Sequence, residues 1–179
     1  MGGLYPAVAS MLAAQRITAP AAPFEHGGYS GATMSRINHG GERYVLKRVS
    51  RTTDWIIQMT SDHAMREAQI AASGVLDVLA PGLRSPSIAA AYDGDGFGLL
   101  MRDMSPWLMP DDGVLPESVV DLILANVARM HAAFWEAVPA TDIGWCGMRE
   151  RLLFRSEPVG ERLRAAGRME FGCSAGWER

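Results

Sequence analysis

The chain has 179 residues, of which 48% are hydrophobic and 21% are charged, and its formal net charge at pH 7 is −3. This composition is typical of a folded globular protein with one sizeable domain or two small lobes, and it excludes a disordered or fibrous chain. The slight negative charge argues against a nucleic-acid interface, so we do not expect nucleic acid as a partner. The sequence contains no run of 18 apolar residues that would predict a membrane span, so we do not expect a membrane as a partner either.

The two cysteines, Cys146 and Cys173, have no C-x-x-C spacing and no neighbouring histidines. We interpret them as reduced thiols of a cytoplasmic protein, not as a disulfide or a zinc site. The apolar segment 7–14 lacks the positive charge that precedes the apolar region of a secretory signal. We therefore expect a cytoplasmic location.

The first part of the chain predicts a helix and then a glycine-rich turn. Residues 5–16 carry apolar side chains at helical spacing, and the proline-containing segment 19–23 ends that pattern. Residues 25–33 read Glu-His-Gly-Gly-Tyr-Ser-Gly-Ala-Thr, and backbone N–H groups in such a turn can hold phosphate oxygens. A hairpin turn without a ligand explains the same glycines.

A β-hairpin is predicted next, with strands at 33–37 and 43–51 joined by the turn 38–41. The period of two places Val45, Lys47 and Val49 on one face. Lys47 is the single lysine of the chain, and its compact charge on a slim stem suits a phosphate in a pocket. The alternative is a strand lysine with no ligand.

After a connector at 54–60, we predict a helix that is capped by Ser61 or Asp62 and ends at Gly74. Glu67 lies in this helix, on the side that should pack, and its carboxylate is a candidate partner for Lys47. A solvated glutamate, free or paired with Arg66, is the alternative.

A short helix and a second β-hairpin are predicted next. A short helical extension at 75–80 precedes two strands, 88–92 and 97–101, whose turn 93–96 is Asp-Gly-Asp-Gly. That turn is not a calcium loop, because Met104 stands where the loop requires a glutamate.

A linker at 107–116 leads to the strongest helical pattern, which Pro116 opens and Pro139 closes. We expect His131, beside its apolar stripe, to be a buried histidine bonded to neighbouring backbone. The sequence also predicts helical pieces at 148–154 and 159–168. The apolar stripe consists of Val120, Ile123, Val127, Met130 and Phe134.

The order of these features resembles the aminoglycoside phosphotransferase and choline-kinase-like family, which shares the protein-kinase fold. The resemblance covers roughly residues 23–138. It implies an α+β protein-kinase-like N-terminal lobe, a small antiparallel sheet plus a helix, followed by the first helices of an α-helical lobe. The implied divisions are an N-terminal helix or arm, a nucleotide-binding lobe, a hinge or linker and an incomplete helical lobe, at 1–22, 23–104, 105–115 and 116–179.

The resemblance also implies roles in binding ATP. Lys47 matches the lysine that contacts the α/β-phosphates, Glu67 the glutamate that pairs with it, and Val45 a position that lines the adenine pocket. Backbone groups of the hinge hydrogen-bond adenine, and a glycine-rich loop covers the phosphates, although its spacing departs from G-x-G-x-x-G. The matching hinge residues are Met101, Arg102, Asp103 and Met104, and the matching loop residues are Gly28, Ser30, Gly31 and Thr33.

The catalytic segment of the family is His-x-Asp-x-x-x-x-Asn with a later metal-binding aspartate, and none of the four histidines of this chain has an aspartate two residues later. We therefore expect a fragment of an ATP-dependent kinase for a small-molecule hydroxyl, without catalytic residues or ligands for the Mg²⁺ of the full-length enzyme. Alternatives are a non-enzymatic kinase-like module that binds a nucleotide or a protein, and an unrelated α+β domain.

Overall fold

The computed structural model describes residues 3–25, 30–78, 82–108, 114–135, 137 and 143. Helices and one antiparallel sheet make up this part, so the α+β class is confirmed, and the five strands lie in the order β1-β2-β3-β5-β4. The strands are β1 Ala22–Pro23, β2 Thr33–His39, β3 Glu42–Val49, β4 Ser87–Asp93 and β5 Gly96–Arg102. The α-helices are α1 Val8–Ala14, α2 Trp55–Thr60, α3 Arg66–Ser73 and α4 Glu117–Phe134, and 3₁₀ turns span Val75–Val78 and Ser105–Trp107.

Both predicted hairpins are confirmed. Strands β2 and β3 pair in one continuous register from Thr33 opposite Arg48 to His39 opposite Glu42. Gly40 and Gly41 join them with positive φ angles of 61° and 82°, the backbone that a two-residue hairpin turn requires. The β4–β5 hairpin closes within the predicted turn 93–96.

The N-terminal segment is part of the folded unit. Tyr5 bridges to Ala91 on β4, and the Tyr5 N–H donates to the Ala90 carbonyl at 3.0 Å. Since β4 is the last strand in the sheet order, this bridge covers part of its free edge. Helix α1 then packs Val8 and Met11 on one face of the sheet, against residues that include Leu46 and Leu100.

The opposite face of the sheet is covered by α2 and α3. Ile57 of α2 and Ala68 of α3 pack there with residues of the central strands, such as Val49 and Leu99. Because both faces are covered, β3 buries Val45 on one side and Leu46 on the other. The face that carries Val45, Lys47 and Val49, with its neighbours on β2 and β5, is called the Lys47 face below.

The segment between β3 and α3 differs from the prediction. Residues 54–60 are not a plain connector but contain α2, because the buried Asp54 carboxylate caps it by accepting from the Ile57 N–H at 3.0 Å. Helix α3 begins at Arg66, later than predicted, since Ser61 and Met65 both adopt left-handed backbone conformations.

Two predictions on α3 are nevertheless confirmed in part. The carboxylate oxygens of Asp62 accept from the Arg66 N–H at 3.2 and 3.0 Å, so Asp62 does serve the first turn. Gly74 ends the helix with φ 78°.

Helix α4 starts after Pro116 as predicted. Four residues of the predicted stripe, Val120, Val127, Met130 and Phe134, are partly buried, whereas Ile123 is 39% exposed. The fully buried residue of the helix is Asn126, which lies against Gly82. His131 is exposed, so the prediction of a buried histidine is wrong. The five positions from Asn126 to His131 turn the side chain about 140° around the helix, away from the Asn126 contact.

Other predictions on this half of the chain fall outside the described residues. They concern Pro139, Cys146, Cys173 and the helical pieces at 148–154 and 159–168. Among the helices that the structure describes, none is both long enough and apolar enough to cross a membrane.

The packing of α1 on β5 generates a stability prediction. A methyl group on Gly98 would lie 2.5 Å from Cγ2 of Val8, so Gly98→Ala should overpack this contact. We expect a loss of roughly 1–3 kcal/mol in the free energy of unfolding, measured by urea denaturation. Gly3→Ala is the control, because a methyl group there meets no described atom within 4 Å.

The Val8→Ala variant tests the cause of that loss. If the contact with Val8 is responsible, the double variant should lose less stability than the sum of the two single variants, because the clashing methyl group is gone. Additive losses would contradict this explanation.

Candidate functional site

Lys47 and Glu67 form an ion pair across the Lys47 face. The Lys47 ammonium donates to both carboxylate oxygens of Glu67, at 2.7 Å each. Burial of Met65 and Ala68 anchors α3 on the sheet and so brings Glu67 over β3. The pairing predicted from the sequence is therefore confirmed, and the alternative of a glutamate that is free or paired with Arg66 is wrong.

The pair orients the lysine more than it stabilises the fold. The Lys47 side chain is 19% exposed and that of Glu67 is 49% exposed, and pairs with this much solvent contact contribute about 0–1 kcal/mol. An ammonium has three N–H donors, and two of them serve Glu67. One donor is left for a ligand at a position that the glutamate holds in place.

The surroundings of Lys47 are apolar along two neighbouring strands. Lys47 lies opposite Leu99 on β5, and Val45 lies opposite Met101. Val45 and Leu99 are buried, whereas Met101 is partly buried. Two residues along a strand span about 7 Å, so the Val45–Met101 pair and the lysine occupy successive positions on one face.

The Met104 N–H, just after β5, has no acceptor among the residues that the structure describes. The Arg102 N–H donates to the Pro86 carbonyl at 2.9 Å, and the Asp103 N–H donates to the Arg43 carbonyl at 3.0 Å. No described residue accepts from the Met104 N–H, and Met104 itself is 39% exposed. Of the four predicted hinge residues, Met104 is thus the one whose N–H is open to a ligand within the described part of the chain.

The Asp103 side chain is a feature that the sequence analysis missed. It is 1% exposed, and its Oδ2 lies 3.7 Å from Nε of Arg36 and 3.6 Å from Nε of Arg43. Its Oδ1 accepts from the N–H and the hydroxyl of Ser105 at 2.9 and 2.5 Å. A buried aspartate requires such cationic partners, but they stand in two earlier strands, so no local pattern reveals them.

These contacts decide the charge state of Asp103. The Ser105 hydroxyl and N–H, and then the two arginines, hold the pKa of the carboxyl below its ordinary value of 3.8, although burial acts in the opposite direction. Asp103 is therefore an anion at neutral pH, and it neutralises part of the positive charge of Arg36 and Arg43.

The glycine-rich segment is described only in its second half, and Gly28 lies outside the described residues. Gly31 has φ +93°, and a methyl group on it would lie 2.8 Å from the Thr53 carbonyl oxygen. The Trp55 N–H donates to the Ser30 carbonyl at 3.1 Å. Packing against residues 53–55 thus explains why a glycine stands at position 31.

Ser30 and Thr33 are not brought to Lys47 by any contact among the described residues. The Ser30 hydroxyl accepts from the Ala32 N–H at 3.4 Å. Thr33 pairs with Arg48, and this register places its side chain on the opposite face from Lys47. The structure therefore joins Lys47 with Glu67 and aligns Val45 with Met101, whereas a phosphate contact of the loop stays a prediction.

Comparison of the chain with protein-family models, with curated proteins and with solved structures found no match. The resemblance described above therefore stays a prediction.

The burial of Asp103 generates a prediction on pH. Its folded-state pKa is lowered, so the stabilisation from its charged form is complete above the unfolded pKa and is lost as the pH falls through the folded one. Asp103→Asn should therefore reduce the free energy of unfolding at pH 7. The difference in the free energy of unfolding between the wild type and this variant should become smaller below pH ~4. Urea denaturation between pH 7 and pH 3 measures this gap.

Asp121→Asn is the matched control. It replaces an exposed carboxylate of α4 and should change the free energy of unfolding at pH 7 by no more than about 0.5 kcal/mol. A constant gap between the wild type and Asp103→Asn over the whole pH range would contradict the assignment of the charge to Asp103.

Proposed function

We propose that this chain is the nucleotide-binding part of an ATP-dependent phosphotransferase that acts on a small-molecule hydroxyl. The observation that carries the proposal is the ion pair between Lys47 on the third strand and Glu67 on a helix between the third and fourth strands. Protein kinases use a lysine on the third strand, paired with a glutamate of the following helix, to hold the α/β-phosphates of ATP.

The Lys47 ammonium within this pair supports a phosphate ligand. Lys47 keeps one donor that Glu67 does not use, and ATP phosphates are strong acceptors that suit a compact ammonium. Glu67 is half exposed, so it can hold the ammonium without enclosing it. The pair thus presents a positive group at a defined position on the Lys47 face.

The apolar side chains and the backbone N–H near Lys47 favour a nucleobase as the second part of the ligand. The Val45–Met101 pair offers an apolar surface of the kind that lines sites for planar ligands. The Met104 N–H, two residues after the end of β5, can donate to a ring nitrogen of the nucleobase. With the nucleobase near Met101 and Met104 and the phosphates at Lys47, one ligand would make two successive contacts on the same face.

Phosphoryl transfer also needs a base for the hydroxyl proton and magnesium on the phosphates. The carboxylate at Lys47 is Glu67, and both of its oxygens already accept from the ammonium. It does not fit a magnesium site, so we assign neither a metal ligand nor a catalytic residue among the described residues.

The first test is a titration of the purified chain with ATP, followed by thermal shift. We expect a saturable rise in Tm, because a ligand that binds the folded state selectively stabilises it by about 2.7 kcal/mol at a concentration of 100 times Kd. Lys47→Ala should weaken ATP binding at least about tenfold, since it removes a charge-assisted contact.

Arg48→Ala is the matched control for Lys47→Ala. It removes one positive charge from the next position of β3, where Arg48 pairs with Asp93 at 2.6 Å on the opposite face. ATP affinity should stay unchanged in this variant. An equal loss in both variants would mean that Lys47 contributes only general charge and would count against the proposal.

A second test concerns Glu67. Glu67→Gln keeps the size of the side chain but removes the charge that orients the ammonium, so we expect a smaller loss of ATP affinity than for Lys47→Ala. Combining the two substitutions should weaken binding no further than Lys47→Ala alone, because Glu67 acts through the lysine. Isothermal titration of the three variants measures this, and additive losses would show that Glu67 acts independently.

A further inference from the structure

We propose that Asp103 is a positioning residue that sets the base preference of this site, by holding the Met104 N–H in place for adenine. This inference rests on the proposed function. It concerns the Asp103 side chain, whereas the hinge contacts above involve only backbone groups.

The first step is the local geometry around Met104. Oδ1 of Asp103 accepts from the N–H of Ser105, two residues further on, at 2.9 Å, which closes a turn around Met104. Met104 has φ −91° and ψ 3° inside this turn, the backbone that is typical of the third residue of a type I turn. The aspartate therefore fixes the direction of the one N–H that the other hinge contacts leave open.

The second step is the anchoring of this turn to the sheet. Oδ2 of Asp103 faces Arg36 on β2 and Arg43 on β3, and the Arg43 carbonyl also accepts from the Asp103 N–H. The turn is thus attached to two strands through one buried carboxylate. Movement of the hinge would separate that anion from both guanidinium groups.

The third step links the hinge to the start of the glycine-rich segment. The Arg36 guanidinium lies 4.3 Å from the centre of the Phe24 ring, and the Phe24 N–H donates to the Met34 carbonyl at 3.1 Å. Asp103, Arg36 and Phe24 therefore connect the two segments that would border a bound nucleotide.

The chemistry of the base makes the consequence specific. Adenine presents an unprotonated ring nitrogen beside its amino group, whereas guanine carries a hydrogen at the corresponding nitrogen. A fixed backbone N–H can donate to the unprotonated nitrogen of adenine. It opposes guanine, since two donors facing each other leave both unpaired. A hinge that is free to turn loses this discrimination.

The test measures the affinities of the full 179-residue chain for adenosine, guanosine and inorganic tripolyphosphate, by competition with a fluorescent ATP analogue. Asp103→Asn keeps an oxygen that can accept from the Ser105 N–H but loses the charge that faces Arg36 and Arg43, so the turn loses its attachment to the two strands. It should weaken adenosine binding about tenfold, the effect of one misplaced hydrogen bond, and should reduce the preference for adenosine over guanosine. Tripolyphosphate affinity should stay unchanged, because Lys47 and Glu67 are intact.

Asp93→Asn is the matched control, since Asp93 forms a different aspartate–arginine pair in the same sheet, with Arg48. It should change none of the three affinities. If Asp103→Asn does not fold, Ser105→Ala serves instead. That variant keeps the carboxylate but removes the hydroxyl contact, and it should reduce adenosine affinity by a few fold without affecting tripolyphosphate.

Unchanged adenosine affinity and base preference in a folded variant would overturn the inference, and so would equal losses for adenosine and tripolyphosphate, which indicate general destabilisation. A wild-type chain that binds none of the probes would overturn the proposed function itself, together with this inference.

Discussion

The pairing of β3 with β5 at the centre of the sheet determines most of this structure. Helix α1 covers one face of this pair, and α2 and α3 cover the other. Each side chain of the central strands that these helices cover must therefore be apolar or must find a polar partner. Lys47 meets this requirement through Glu67, whereas Arg48, one residue later, points the opposite way and pairs with Asp93.

Local turn chemistry made much of the fold predictable. The Gly40-Gly41 turn and the turn 93–96 define both hairpins, and Gly74 and Pro116 mark helix ends that the structure confirms. The start of α3 was missed because Ser61 and Met65 adopt left-handed conformations that their residue types do not favour. Helix α2 was missed because its six residues give too short a pattern to recognise, and its cap Asp54 is also a common loop residue.

The candidate site was predictable where one position carried its own signal. Lys47 was recognisable as the single lysine on an apolar strand face, and the helical position of Glu67 suggested its partner. The group formed by Asp103, Arg36 and Arg43, called the Asp103 cluster here, could not be recognised from the sequence. It depends on the strand register that brings the two arginines together beside the end of β5. In α4, four of the five residues of the apolar stripe are partly buried, but the pattern gave no sign that Asn126 would be buried by its contact with Gly82.

The two charged groups of the Lys47 face differ in a way that suggests different roles. The Lys47–Glu67 pair is partly exposed and can exchange contacts with a ligand, whereas the Asp103 carboxylate is 1% exposed and cannot. The Asp103 carboxylate is buried, whereas the side chains of Arg36 and Arg43 are 40% and 52% exposed. The cost of removing the anion from water offsets much of its attraction to them. What the Asp103 cluster contributes is geometry: breaking it leaves an unpaired buried charge, so the end of β5 stays in the one arrangement that keeps Asp103, Arg36 and Arg43 together. Under the proposed function, the end of β5 would contact the nucleobase, whereas Lys47 would contact the phosphates.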